Sequence, residues 1–195
     1  MTVKPPVPTQ VHLHYASDYD WFFIGGHDLY VIPQNLRDFL KTRAPPSTPQ
    51  FLGRRFRDYG KVLFNSGGAG YALSKAALDG YAAHADDAAC APRLRTSQED
   101  VQIAKCLAHF LGVAPEDTRD AQKRERFHPF APGHMITIQP PAPGARSDWY
   151  YDYTKEWGVL PGKDCCAPDS VSFHYVKKPA MVRHLHKMLY DCPPS

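Results

Sequence analysis

The chain has 195 residues, 43% of them hydrophobic and 22% charged, with a formal charge of +3. That is enough apolar material for one sizeable core, and the scattered basic residues argue against a nucleic-acid or membrane-surface binder. No apolar run approaches the roughly 20 residues of a membrane span, and the start Met1-Thr-Val-Lys-Pro-Pro6 is not a signal peptide.

Residues 1–10 are Pro-rich and read as linker-like or disordered, leaving 11–195 as the domain. Asp20 to Ile24 reads as a strand, and it breaks at Gly25-Gly-His-Asp28 before a second extended run, Tyr30 to Ile32. A carboxylate where a buried strand opens is a common way to hold a divalent cation against a phosphate, so Asp28 is singled out. Pro33 to Leu40 reads as a helix with proline in its first turn and Leu36, Phe39 and Leu40 on one face. Ala44-Pro-Pro-Ser-Thr-Pro49 ends it, and Phe51-Leu52 starts another strand.

Asn65-Ser-Gly-Gly-Ala-Gly70 is a Gly-rich turn expected to open onto a helix over 71–78, aiming free N–H groups at a ligand. Its spacing fits neither a P-loop nor a dinucleotide fingerprint. Ser97-Gln-Glu-Asp100 resembles a capping box before a helix carrying Val101, Ile103, Ala104, Leu107 and Leu111. On this pattern alone, Glu99 and Asp100 are favourable charge at a helix N-terminus. Beyond Gly112 the chain is loop-rich. Asp148-Trp-Tyr-Tyr-Asp-Tyr153 is an aromatic cluster suited either to stacking on sugar rings or to a core hairpin. Val171 to Val176 alternates as a strand, with Ser172, His174 and Val176 on one face. The pairs His12/His14 and His184/His186 have no third ligand nearby and read as surface histidines.

The five cysteines lean toward an oxidising compartment, with buried free thiols in a cytosolic protein as the alternative. No CxxC spacing suggests zinc. Cys165 and Cys166 are adjacent, and the peptide joining them disfavours a bond between the two, so each is expected to seek a distant partner.

Several segments in one order resemble the core 1 β-1,3-galactosyltransferase (T-synthase) family, among the fringe-like inverting β-1,3-glycosyltransferases. They are Asp20-Trp-Phe-Phe23 with Asp28-Leu-Tyr-Val-Ile32 and Asn35-Leu-Arg37, Gly53-Arg-Arg-Phe56, Ser66-Gly-Gly-Ala-Gly-Tyr71 with Leu73-Ser-Lys75, Glu99-Asp100 with Cys106-Leu107, Phe127-His-Pro-Phe130, Cys165-Cys166, and Val171-Ser-Phe-His-Tyr-Val176. The resemblance implies an α/β fold, the C-terminal portion of a GT-A (Rossmann-like) domain with a mixed sheet flanked by helices. The nucleotide-binding strands that the family places ahead of the tryptophan strand are expected to be missing here.

It further implies an inverting, metal-dependent transfer of galactose from UDP-galactose to the 3-hydroxyl of GalNAc on Ser or Thr. The family's acidic triplet falls on Gly26, His27 and Asp28, so Asp28 keeps the Mn²⁺-binding position, while the late-strand His174 supplies the second ligand. Asp100 matches the catalytic base, with Glu99 as fallback or sugar-hydroxyl ligand. Gly67 and Gly68 border the donor, and Trp149 and Tyr150 are implied acceptor contacts. Cys90 and Cys106 flank the base-bearing segment and form the expected bridge. The implied partners are the UDP-sugar and a glycoprotein or glycopeptide acceptor, with no nucleic acid, and a homodimer is compatible with the family. The implied setting is the Golgi or ER lumen as a type II membrane protein, attached through an N-terminal anchor outside these residues. The loss of the triplet's first two acids keeps a second reading open, a non-catalytic sugar-binding or chaperone-like relative of the same fold.

Overall fold

The computed structural model describes residues 7–59, 61–90, 98–142 and 148–191. In chain order the main elements are α1 (Val7–Tyr15), β1 (Trp21–Ile24), β2 (Tyr30–Val31), α2 (Pro33–Lys41), β3 (Phe51–Gly53), β4 (Arg55–Arg57), β5 (Leu63–Asn65), β6 (Tyr71–Ser74), α3 (Lys75–His84), α4 (Glu99–Leu111), β7 (Phe127–His128), α5 (Pro132–Met135), α6 (Trp149–Thr154), β8 (Ser172–Phe173) and α7 (Pro179–His186). The architecture is mixed α/β, built from small sheets and helices. Strand β6 lies between β1 and β3, antiparallel to both, while β8 pairs antiparallel with β2 and parallel with β7. Strands β4 and β5 form a separate antiparallel pair. Among the described residues, no helix is long and apolar enough to cross a membrane.

The main core forms where α3 and α4 close over one face of β6 and its neighbours, burying Phe22, Phe51, Leu73, Leu78, Val101, Ile103 and Leu107. The opposite face buries Leu52, Ala72, Phe127 and Val171 against Phe39 of α2. With both faces covered, β6 is buried along its whole length rather than alternating. The two core helices pack closely at Gly80, where an added Cβ would lie 2.6 Å from a Leu111 methyl.

Several elements differ from the sequence reading. Helix α1 begins at Val7, so residues 7–10 are helical where a linker-like segment was expected, and residues 1–6 lie outside the described residues. The Gly-rich turn opens onto strand β6, not directly onto a helix: the short run Tyr71-Ala-Leu-Ser74 suits either state, and pairing with β1 and β3 decides. The helix starts only after Ser74, whose hydroxyl accepts from Ala77 N–H (3.3 Å) and Gln50 N–H (2.9 Å) and donates to the Thr48 carbonyl (2.9 Å). The aromatic segment is helix α6, capped by the Asp148 carboxylate on the N–H groups of Tyr150 and Tyr151 (2.9 and 3.2 Å), and not a hairpin. Helix α4 has Gln98 at its N-cap without a side-chain cap bond, and the expected capping Ser97 lies outside the described residues. The late strand shrinks to two residues, because Tyr175 takes a left-handed backbone (φ 58°) that cannot continue a ladder.

Cys90 and Cys106 form a disulfide that ties the segment before α4 to the helix itself. Cys165 and Cys166 are bonded to each other, against the expectation of distant partners. The other two described cysteines, Cys90 and Cys106, are the ones already paired, and Cys192 lies outside the described residues.

One buried charge pair locks the layers. Arg54, between β3 and β4, pairs with Glu125 and donates to the Tyr150 hydroxyl (3.0 Å) from a position closed to solvent. Removing one partner would strand a buried charge, so Glu125→Ala should cost about 3–5 kcal/mol in urea unfolding, far more than a surface ion pair.

Candidate active site

The turn after β1 and the segment after β8 meet through the backbone. The Asp28 carbonyl accepts from Val176 N–H (2.9 Å), and His174 N–H donates to the His128 carbonyl (3.0 Å). These bonds bring together two side chains 146 positions apart, with His174 Nε2 3.1 Å from Asp28 Oδ1. The other ring nitrogen, Nδ1, lies 3.3 Å from the Pro129 carbonyl, which can only accept, so Nδ1 carries a hydrogen. Nε2 then faces the carboxylate either as N–H or as a lone pair. In the second state, nitrogen and oxygen donors converge on one point and a cation must sit between them. Burial opposes ionisation of Asp28, but His174, its own backbone N–H, Lys177 and His27 together outweigh this and hold its pKa below the ordinary value.

Opposite lies the N-terminus of α4. Gly67 N–H donates to Asp100 Oδ2 (2.8 Å), and Val101 N–H to Asp100 Oδ1 (2.9 Å). The Tyr71 hydroxyl, fully buried on β6, donates to Glu99 Oε2 (3.0 Å). Burial raises the Asp100 pKa despite the Gly67 and Val101 N–H groups. Burial of the carboxyl against the turn also lifts Glu99, to about 6; the Tyr71 hydrogen bond opposes that rise and the Asp100 charge adds to it. The pair matched to the base is thus held by a backbone amide and a buried phenol, beyond the helix-end role that the local pattern alone suggested.

The glycines stand between the two carboxylate sites. A Cβ on Gly68 would lie 2.5 Å from His174 Nδ1, and one on Gly67 would lie 3.1 Å from Glu99 Oε1 and 3.2 Å from Asp100 Oδ2. The turn is closed by Gly70 N–H on the Gly67 carbonyl (3.1 Å), which fixes both contacts. In front lies a cleft of about 240 Å³, with Asp100, Gly68 and His174 among its polar lining and Phe56, Phe64, Trp149, Tyr153 and Tyr175 as an aromatic wall.

Asp28, Gly67, Gly68, Glu99, Asp100 and His174 therefore gather from four separate segments into one site. Trp149 stands at the rim, 46% exposed, whereas Tyr150 is 2% exposed and lies in the core against Arg54, so it is not placed as an acceptor contact. Sequence reasoning missed Tyr153 and Tyr175 in the cleft wall. Tyr153 is four residues after Trp149 on the same helix face, a spacing that a helical reading of the segment would have brought out. His27, the residue before Asp28 at the triplet's second position, is exposed.

Among the described residues, no group of three His, Cys, Asp or Glu side chains converges as a metal cluster. Asp28 and His174 form a two-residue set, one oxygen and one nitrogen donor. This suits a cation such as Mn²⁺ that takes its remaining ligands from substrate oxygens and water.

No family model matches the chain. Over 165 residues, 85% of this chain and 44% of the relative, it is 38% identical to glycoprotein-N-acetylgalactosamine 3-beta-galactosyltransferase 1 of Xenopus laevis. The chain is a relative of the core 1 β-1,3-galactosyltransferases. It is also 30% identical over 120 residues to human chondroitin sulfate glucuronyltransferase, covering 60% of this chain and 15% of that one. To human chondroitin sulfate synthase 3 it is 29% identical over 113 residues, covering 53% and 12%. All three are named as glycosyl-transferring or glycan-synthesising enzymes, and the chain spans less than half the length of each.

Three substitutions test the site. Gly68→Ala should displace the His174 ring from Asp28 while leaving the fold intact, visible as a changed His174 imidazole NMR signal at an unchanged melting temperature. Tyr71→Phe removes a hydrogen bond that favours charged Glu99, so the Glu99 carboxyl should titrate above pH 6 instead of near it in carbon-detected NMR. Because the folded pKa of Glu99 exceeds its reference value of 4.5, its stabilising contribution is present in acid and lost as pH rises through about 6. Glu99→Gln should flatten that loss.

Proposed function

We propose that this chain carries the base-bearing and acceptor-facing part of an inverting, GT-A-type β-1,3-galactosyltransferase acting on UDP-galactose and GalNAc linked to Ser or Thr. The observation that carries the reading is the single cleft in which Asp100 and His174 face each other, with Asp28 behind His174 and an aromatic wall in front. The relatives' names supply the sugar chemistry.

In this reading the acceptor sugar lies with an apolar face on Trp149 and Tyr153 and its 3-hydroxyl toward Asp100. Asp100 takes the hydroxyl proton, and the oxygen attacks the anomeric carbon from the side opposite the diphosphate. The new glycosidic bond forms as the carbon–diphosphate bond breaks, and UDP departs with the bonding pair. Burial that raises proton affinity makes Asp100 a stronger base than an exposed carboxylate. The Gly67 N–H fixes the orientation of that carboxylate. Held by Asp28 and His174, Mn²⁺ would offset the charge of the departing diphosphate as a Lewis acid. Glu99, behind Asp100, tunes that carboxylate or reaches a sugar hydroxyl. By analogy with the core 1 enzymes, the setting is the Golgi lumen.

A second reading, a non-catalytic sugar-binding or chaperone-like relative, is favoured by one feature. Gly26 and His27 occupy the positions of the family's first two acids, and His27 is exposed.

Calorimetry with UDP and Mn²⁺ separates the two. The transferase reading expects binding, and no heat at millimolar nucleotide would favour the second. Where UDP-galactose binds, Asp100→Asn should lower transfer by roughly 10²–10⁴-fold while leaving donor affinity within about twofold. Unchanged turnover in that variant would remove Asp100 as the base.

A further inference from the structure

The charge around Asp28 points to a role for Lys177, which neither the resemblance nor the relatives assign. The side chain is 62% exposed, yet it is held at two points. Its ammonium lies 3.6 Å from Asp28 Oδ2 and 4.8 Å from the centre of the Tyr175 ring. Tyr175 lines the cleft and stacks on His174 with ring centroids 3.9 Å apart. The ammonium is therefore tethered at the junction of the cleft and the Asp28–His174 pair, where a cation–π contact and an ion pair restrict a chain that would otherwise sample many rotamers.

The basic groups acting on the Asp28 carboxylate at this junction are His174, Lys177 and His27. Two positions that would carry acids if the triplet were complete hold Gly26 and His27. With Gly26 and His27 in place of two acids and the Lys177 ammonium beside Asp28, the local balance favours an anionic ligand more than a triplet of acids would. A divalent cation bound between Asp28 and His174 would take over the Asp28 oxygens and free the Lys177 ammonium, now 3.6 Å from Asp28 Oδ2, for an anionic ligand beside it.

We propose that Lys177 binds the donor's diphosphate directly, supplying positive charge at the place where the chain lacks the first two acids. The inference rests on the transferase reading and deepens it by naming a diphosphate contact. Lysine acts here as a point charge rather than a bidentate fork, so its contribution depends on charge and reach more than on geometry.

The test is calorimetric binding of UDP, uridine and inorganic pyrophosphate to the whole chain, with and without Mn²⁺, for the parent, Lys177→Ala, Lys177→Arg and Lys177→Glu. Lys177→Ala should weaken UDP and pyrophosphate by roughly tenfold. Lys177→Glu should weaken them further, Lys177→Arg should restore most of the loss, and uridine should be indifferent to all three. Because the side chain is mostly exposed, unfolding midpoints should stay at the parent value, which separates lost binding from lost structure. If the parent binds UDP and Lys177→Ala binds it within twofold, the lysine is a surface ion pair only and the inference falls while the transferase reading stands. If the parent binds pyrophosphate through Lys177 but UDP no more tightly, the anion site stands and the nucleotide-sugar reading falls. If the parent binds neither, both fall.

Discussion

The turn through Gly67 and Gly68 has to pass between two side chains that must both approach it, His174 on one side and the Glu99-Asp100 pair on the other. A methyl group on Gly68 would occupy the volume of the imidazole ring. The same turn donates its Gly67 N–H to Asp100, so one short piece of backbone sets the spacing between the residue proposed to take a proton and the pair proposed to face the diphosphate. Nothing larger than hydrogen fits there without moving one wall of the cleft.

The frame around the turn holds it rigid. Strand β6, which follows the turn, is buried on both faces, and its first residue, Tyr71, aims a phenol at Glu99 from within the core. The Cys90–Cys106 bridge fastens α4, the helix that carries the two carboxylates. The buried Arg54–Glu125 pair and the Tyr150 hydroxyl join the β3–β4 region to α6, whose outer face presents Trp149 and Tyr153 to the cleft. A buried ion pair is a costly way to gain stability but an effective way to fix one arrangement, and here it sets the aromatic wall relative to the carboxylates.

Charge is distributed unevenly across the cleft. On the α4 side burial raises the proton affinity of both carboxyls, with Glu99 at about 6, as suits groups that accept a proton. On the other side basic neighbours depress Asp28 and keep it ionised, as suits a group that faces cations. One carboxylate in the cleft with raised proton affinity and another behind His174 held ionised are the electrostatic pattern expected where a hydroxyl loses its proton on one side and a diphosphate gathers charge on the other.

The strand at Trp21, helix α2, the chemistry-bearing residues and their likeness to one family were legible in the sequence, because local periodicity and short motifs survive in one dimension. Three features were not. The apolar run at Tyr71 could be strand or helix, and only its two pairing partners settled it. The aromatic run at 149–153 became a helix through the Asp148 cap and packing on Phe56, which hid Tyr150 and turned Tyr153 into the cleft. Cys165 bonded to its neighbour Cys166 while Cys90 paired with Cys106, a connectivity that spacing alone does not encode. The sequence by itself determined which groups were available: a lone carboxylate after β1, a distant histidine, an acidic pair and two glycines. The tertiary structure decided which of them meet, because the contact between Asp28 and His174 depends on backbone hydrogen bonds between segments nearly 150 residues apart, and no local pattern encodes such a bond.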